Sequence, residues 1–600
     1  MFLGIGRGVI SLLLVTGGVT QALAFDVAVN APDAVADQLR GASLTAGLLN
    51  TNDDQTDPPQ SIDILGAAQA DYSTLIGVLY NQGYFAPEIN ILVDGREAAS
   101  IPPIDAPAVI SNVVINVKPG AVFTFGTVSI TPKAPDVEPT DGLNAGQVAS
   151  VTALRAGTSA QIEGWRHVGH AKASVASQQI TANNPEKTLS ASVTIDPGPK
   201  LQFGKITIEG GSTVREKRIR EIMGWPEGDV FDPDVITKVE TRLRRTGTFA
   251  AASLSEAETA NPDGTLDAIA TITDQLPRRY SFGAEFSTLD GLSLSALWLH
   301  RNIFGGAERL QIDGEIEGLS GGDTDGVDFR LTGILSRPAT FRTDLEAFLL
   351  GEIEQRDDPN LFSRTIRLEL GANYFASEDR EYNYGIGLRR STTRDDLGDR
   401  DYTILTFPVT ATFDRRDNKL DATAGYYAQA SVTPFVNLSG TDNGVVTKLD
   451  LRTYRQLGSR VTLALRGQLG SVAGPSLTNA PADLLFFSGG SGSVRGQEYQ
   501  TLGVEFSPGV TIGGRSFVGL QSEVRVKTSN KNLSIVGFYD VGYIGPEAFY
   551  DGSGEWHTGY GAGVRYDTPI GPIRFDAALP GSGPDTSSGL EIYIGIGQAF

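Results

Sequence analysis

The sequence of 600 residues contains no cysteine. Disulfides and thiol chemistry are excluded, so stability must come from burial and hydrogen bonds. Basic charge is also scarce: 49 Lys and Arg stand against 71 Asp and Glu, a formal net charge of −22. That balance excludes a general basic footprint for nucleic acid. Long apolar runs are missing as well. Beyond the first 24 residues, no stretch approaches the roughly 18 apolar residues that a membrane-crossing helix needs. The mature chain is therefore expected either to be soluble or to cross a bilayer as a closed sheet, because only helices and closed barrels satisfy their own backbone groups in hydrocarbon.

What is present in excess is glycine, 71 residues, well above the usual share of about 7%. No collagen-like period accompanies it, so tight turns and crowded strands are the expected cause. Residues 1–24 read as an export signal: Arg7 supplies the positive start, Val9 to Val19 the apolar core, and Ala22-Leu23-Ala24 a small-x-small cleavage site.

Between that signal and about residue 280 the chain repeats itself. "VKPGAVFTFGTVSI", from Val117, returns as "IDPGPKLQFGKITI", from Ile195. The Phe-Gly pair at Phe125-Gly126 recurs at Phe203-Gly204 and Phe282-Gly283, 78 and 79 residues apart. Gly126 to Gly169 and Gly204 to Gly247 are both 43 residues. Equal internal spacing inside an equal period marks one structural unit per repeat. In the third copy, Phe203 to Ile208 alternates as a strand and a helical stretch covers Val214 to Met223. A second helix follows, with Asp232 as N-cap, Pro233 at its first position and Gly247 as its stop. Strands near Ala251 to Ala257 and Leu266 to Thr273 complete strand–helix–helix–strand–strand. Tyr72 to Phe85 gives the first copy the same helix-stop-strand ending. This unit resembles the POTRA domain, the periplasmic polypeptide-transport-associated module, and three copies are expected at 25–120, 121–200 and 201–277.

From Tyr280 the period becomes two. Ile366, Leu368 and Leu370 alternate with Arg367, Glu369 and Gly371; Leu520, Val524 and Val526 alternate with Gln521, Glu523, Arg525 and Lys527. Lipid outside and a wet lumen inside would produce this pattern, and so would a soluble sandwich. The export signal, the glycine-rich strand region and the terminal Phe600 tip the balance to a barrel over 278–600. At roughly 20 residues per strand and turn, that length gives about sixteen strands.

Several segments then stand in the order seen in Omp85 proteins: "FDRRDNKLDATAGYY" from Phe413, "VRGQ" from Val494, "FYDVGYIG" from Phe538, "GAGVRYDTPIGPIRFDAALP" from Gly561 and "GIGQAF" at the C-terminus. The chain resembles that superfamily over nearly its whole mature length, and three POTRA copies resemble its TamA subgroup. One departure is Gln497, where the family usually has an aromatic after Val-Arg-Gly.

The resemblance implies α+β POTRA repeats followed by a transmembrane antiparallel barrel in a bacterial outer membrane. It implies a non-enzymatic assembly or translocation factor for β-barrel and autotransporter clients, with outer-membrane lipids around it and a TamB-like inner-membrane-anchored partner at the POTRA end. A two-partner-secretion-type transporter or passive pore is the alternative. It also implies that the loop carrying Val494, Arg495, Gly496 and Gln497 folds into the lumen, where Arg495 meets Asp540. A lateral seam is expected between a first strand holding Tyr280 and Phe282 and a last strand holding Gly595, Gly597 and Phe600.

No catalytic, cofactor or metal site is expected. Gly318-Leu319-Ser320-Gly321-Gly322 matches G-x-S-x-G but lacks the strand-to-helix elbow. Asp323, Asp325 and Asp328 lack EF-hand spacing. His167 and His170 lack an evident third ligand.

Overall fold

The computed structural model describes residues 25–50, 59–287, 291–319, 327–440, 442–530, 532–568, 572–583 and 589–596. The proposed export signal, Ser320 to Gly322, Asp323, Asp325, Gly597 and Phe600 lie outside them. The chain divides into two compact units. One holds residues up to Phe203 together with Gly228–Asp234 and Ala260–Thr265; the other holds Gly204–Glu227, Val235–Thr259 and everything from Leu266 onward.

In the first unit, Asp26–Asn30 runs parallel to Asn112–Lys118, which pairs on its other side with Glu88–Val93. The helix Ser61–Asn81 buries Ile64, Leu65, Ala68, Leu75 and Leu79, in a core shared with Ile91, Val93, Val113 and Ile115. Gly83, at φ 86°, then turns the chain into Tyr84. Asp71 is fully buried on that helix. Its carboxylate accepts from Ser43 Oγ at 2.7 Å and Leu44 N at 2.6 Å, at the start of the short helix Leu44–Gly47. A negative group at a helix N-terminus satisfies orphan N–H donors and complements the dipole.

The next segment sets Thr188–Asp196 between Thr124–Thr131 and Ser174–Asn183, beside one helix, Val151–His167. It has one helix where the third repeat has two. Residues 134–150 carry Pro135, Pro139, Gly142 and Gly146 and run as turns, since proline and glycine both oppose a helix interior.

The third repeat has Gln202–Glu209, helices Glu216–Met223 and Pro233–Arg245, and strands Phe249–Glu256 and Thr265–Asp274. In the second unit, its Ile206, Ile219, Ile222, Val239, Leu243 and Ile272 form one core that also takes in Ala307 from a turn of the following sheet. Polar contacts reinforce this junction. Arg242 binds Asp344 through Nε at 2.9 Å and Nη2 at 2.6 Å, and Arg245 adds a third bond at 3.2 Å. The buried Arg218 donates to the Pro338 carbonyl.

From Arg278 the chain forms one meander in which each strand pairs antiparallel with the next, from Arg278–Ser287 to Glu591–Ile596. Among the described residues, seventeen segments make up this sheet. Gly398–Thr406 and Val409–Asp414 both pair with Arg380–Asp395 on one side and Gly425–Asn437 on the other, in unbroken register. They are one strand interrupted at Phe407-Pro408, because Pro408 has no N–H to give the ladder. The described residues of the sheet therefore form sixteen strands, and the first and last of these come within 8 Å of each other at Cα. No ladder joins those two strands among the described residues.

The period-two pattern sorts the faces. Ile366, Leu368 and Leu370 are 56–58% exposed, whereas Thr365 and Glu369 on the opposite face are 2% and 9% exposed. Leu520 and Val524 likewise point out, with Gln521, Glu523 and Arg525 buried within.

Candidate functional site

At the end away from the third repeat, the eleventh strand, Val461–Ala473, is joined to the twelfth, Ser516–Lys527, by the long segment 474–515. This segment turns back against the inner face of the last strands. Gly489, at φ 110°, approaches the Glu498 carbonyl so closely that a Cβ would stand 1.8 Å from it. Only glycine allows this close crossing.

Arg495 sits at the tip and is fully buried. Its Nε reaches Asp540 Oδ2 at 2.7 Å and its Nη2 reaches Asp540 Oδ1 at 2.9 Å, a two-pronged grip. The Arg495 backbone N–H also donates to Asp540, at 3.1 Å. Nη1 donates to Glu523 Oε1 at 2.6 Å and lies 3.6 Å from Asp576. The guanidinium lies over the Phe538 ring, 3.7 Å from its centroid. A planar fork that fills its donors and stacks on a ring is a task lysine cannot do.

The carboxylates come from separate strands: Glu523 from the twelfth, Asp540 from the thirteenth, Leu533–Gly545, and Asp576 from the fifteenth, Ile573–Ser582. Two further arginines complete the cluster. Arg525 Nε donates to Glu523 at 2.8 Å, and Arg565 binds Asp576 and lies 3.7 Å from Glu523. A buried charge is tolerable when its partners and hydrogen bonds are in place, as they are for Arg495.

The neighbours of Arg495 fix its seat. Val494 and Gln497 are buried, and Gln497 Nε2 donates to the Thr558 carbonyl at 2.7 Å and the Ser582 carbonyl at 3.2 Å. Gln497 thus bonds to strand backbone at the position where the family pattern has an aromatic. Gly496, at φ 89°, lies against the Leu579 backbone, and its N–H donates to the Tyr593 hydroxyl at 3.0 Å. On the fourteenth strand, Glu555–Tyr566, a Cβ on Gly559 would stand 1.8 Å from the Arg495 carbonyl oxygen. A polar cavity of about 700 Å³ lies beside the loop, lined by Arg356, Arg389, Lys448, Asp450, Asp483 and Phe486 among others.

Of the residues singled out from the sequence, the structure brings together Val494, Arg495, Gly496, Gln497 and Asp540. Tyr280 and Phe282 stand 60% and 82% exposed on the first strand, away from the cluster, and Gly595 pairs with Arg574 on the last. Sequence reasoning missed Glu523, Phe538 and Asp576 as partners of Arg495, Arg565 as a second cation on Glu523 and Asp576, and Tyr593 as the acceptor for the Gly496 N–H. Strand alternation does turn Glu523 inward, yet nothing local says which inward charges meet a loop from elsewhere in the chain.

In the "FDRRDN" run, Arg416 binds Asp414 through Nε at 2.8 Å, and Asp417 accepts from Thr423 and Ala424 to close a turn. Asp328 accepts the Asp357 backbone N–H at 2.6 Å.

Comparison with known proteins follows this geometry. Residues 302–600 match the Omp85 superfamily domain, and residues 201–271 match POTRA, the surface antigen variable number repeat. The outer membrane protein assembly factor BamA of Nitratidesulfovibrio vulgaris is 22% identical over 415 residues, 66% of this chain and 50% of that protein. BamA of Neisseria meningitidis serogroup B is 22% identical over 470 residues, 69% of this chain and 58% of that protein. The chain thus spans between half and three fifths of the length of these two curated relatives. Among solved structures, BamA from Haemophilus ducreyi lacking POTRA domains 1–3 superposes with a TM-score of 0.58 at 17% identity, covering 79% of this chain and 98% of that one. CdiB from Acinetobacter baumannii gives 0.50 at 11% identity, covering 79% and 89%. These two likenesses show the β-barrel fold. With the family matches beside them, the chain belongs to the Omp85 superfamily, in a form that carries POTRA.

Proposed function

We propose that this protein is an outer-membrane assembly or translocation factor of the three-repeat, TamA-like kind. Its barrel spans the membrane, and its POTRA repeats stand in the periplasm. A strand cannot enter hydrocarbon with bare N–H and C=O groups, each of which costs several kcal/mol. The observation that carries the reading is the meeting of the first and last strands of the sheet, within 8 Å of each other at Cα. Strand edges at such a seam can template a client strand by β-augmentation. The apolar outward face supports the membrane setting. Clients are β-barrel or autotransporter proteins, and the periplasmic partner is a TamB-like protein that docks on the first repeat.

Depletion of the protein, followed by quantitative outer-membrane proteomics, tests this role. A defined set of β-barrel proteins should fall in abundance while exported soluble proteins hold steady. An unchanged outer-membrane profile would rule the role out. Because the chain has no cysteine, paired cysteines across Arg278–Ser287 and Glu591–Ile596 can be oxidised cleanly. Full activity in the locked form would contradict opening at the seam.

A further inference from the structure

In the first unit, His167 closes the helix Val151–His167, and its Nδ1 faces two carboxylates: Asp232 Oδ1 at 3.0 Å and Asp234 Oδ2 at 3.9 Å. One donor atom from each residue falls within 4.8 Å of the others. A zinc-sized ion bound at about 2.0–2.1 Å in tetrahedral geometry sets its ligand atoms about 3.3 Å apart. The two observed separations bracket that value.

The other imidazole nitrogen supports the arrangement. Nε2 lies 4.0 Å from Glu163 Oε1, one helical turn back. With a metal ion on Nδ1 the ring proton sits on Nε2, on the side of the Glu163 carboxylate, whose charge favours it there. An Nδ1 lone pair aimed at two carboxylates is repulsive unless a proton or a metal ion stands between them.

The acidic segment is also held in place. Phe231 is 1% exposed and packs 5.2 Å from Phe203, and its N–H bonds to the Leu201 carbonyl at 3.1 Å. Arg166 lies over the Phe231 ring at 5.8 Å. Asp232 Oδ1 receives the Asp234 N–H at 3.0 Å. This anchoring fixes Asp232 beside His167, and the Asp234 carboxylate, on an 81% exposed side chain, orders on binding.

We infer that His167, Asp232 and Asp234 form a binding site for a first-row transition-metal dication, with zinc as its probe, joining two segments 65 residues apart. One imidazole and two carboxylates suit such an ion better than magnesium or calcium, which favour all-oxygen shells.

The test is calorimetric titration of zinc into the full-length, chelator-treated protein in detergent at neutral pH. One equivalent should bind in the micromolar range. His167→Ala and Asp234→Asn should each weaken it about tenfold or more, and a large excess of magnesium should not displace it. His170→Ala serves as the control and should bind as wild type does, since the His170 Nδ1 is engaged with the Gly198 carbonyl at 2.8 Å. Cobalt in place of zinc should give visible bands of tetrahedral intensity, which His167→Ala removes. Far-UV circular dichroism confirms that each variant is folded. If the wild type takes up no zinc, or if His167→Ala takes it up equally well, the cluster holds a proton and no metal, and the inference fails.

Discussion

Asp540→Ala is the sharpest test of the buried cluster. It removes three of the four hydrogen bonds that Arg495 makes, those from Nε, Nη2 and the backbone N–H, and leaves only the bond from Nη1 to Glu523. Deleting one partner of a buried ion pair costs about 3–5 kcal/mol. Because Glu523 remains, the lower end, about 3 kcal/mol, is expected. At about 1.4 kcal/mol per factor of ten, the docked loop should lose roughly two orders of magnitude in population relative to undocked forms. Hydrogen exchange of residues 488–500 in the detergent-purified chain reads this directly. Arg495→Ala should accelerate exchange in the same segment. The double variant should show a coupling of about 2–3 kcal/mol, well outside the additivity error of about 0.5 kcal/mol. A coupling within that error, or wild-type exchange in both single variants, would refute the cluster as the anchor of the loop.

Two further outcomes follow from the same geometry. Gly559→Ala places a methyl group within 1.8 Å of the Arg495 carbonyl oxygen, so it should expose residues 488–500 to protease while leaving the sheet's heat-modifiable gel mobility intact. Asp344 is subject to burial, which would raise its pKa, but the bonds from Arg242 and Arg245 outweigh it and hold the carboxyl below its ordinary value. A depressed folded-state pKa means that the stabilisation is complete above the unfolded value, about 3.9, and fades as pH falls through the lower folded one. The opening free energy at Pro233–Arg245, taken from exchange corrected for the intrinsic rate at each pH, should therefore be flat from neutral pH to about 5 and fall below about 4, and Asp344→Asn should remove that fall.

Much of this architecture was legible because its signals are local. The third repeat follows its caps and stops: Pro233 opens its helix and Gly247, at φ 65°, ends it. The barrel faces follow from alternation alone, as Leu520 and Glu523 show. What could not be read depended on long-range meeting. Asp576 and Tyr593 lie far along the chain from Arg495, and only the closing of the sheet brings them to it. His167 and Asp232 illustrate the same limit, since a search for ligands near His167 in sequence stops well short of residue 232. The missing helix in the second segment had a local signal, its prolines and glycines, but the matched 43-residue spacing drew attention to sameness.

The bond from the Gly496 N–H to the Tyr593 hydroxyl has a consequence for shortening the chain. The arginine's counter-charges come from the twelfth, thirteenth and fifteenth strands, and this bond adds the sixteenth. The seat of the cation is complete only when all of these strands are paired. The complete seat of the loop tip therefore draws on four strands spread over the last 85 residues of the chain, so shortening the chain before Tyr593 should weaken docking of a loop a hundred residues earlier.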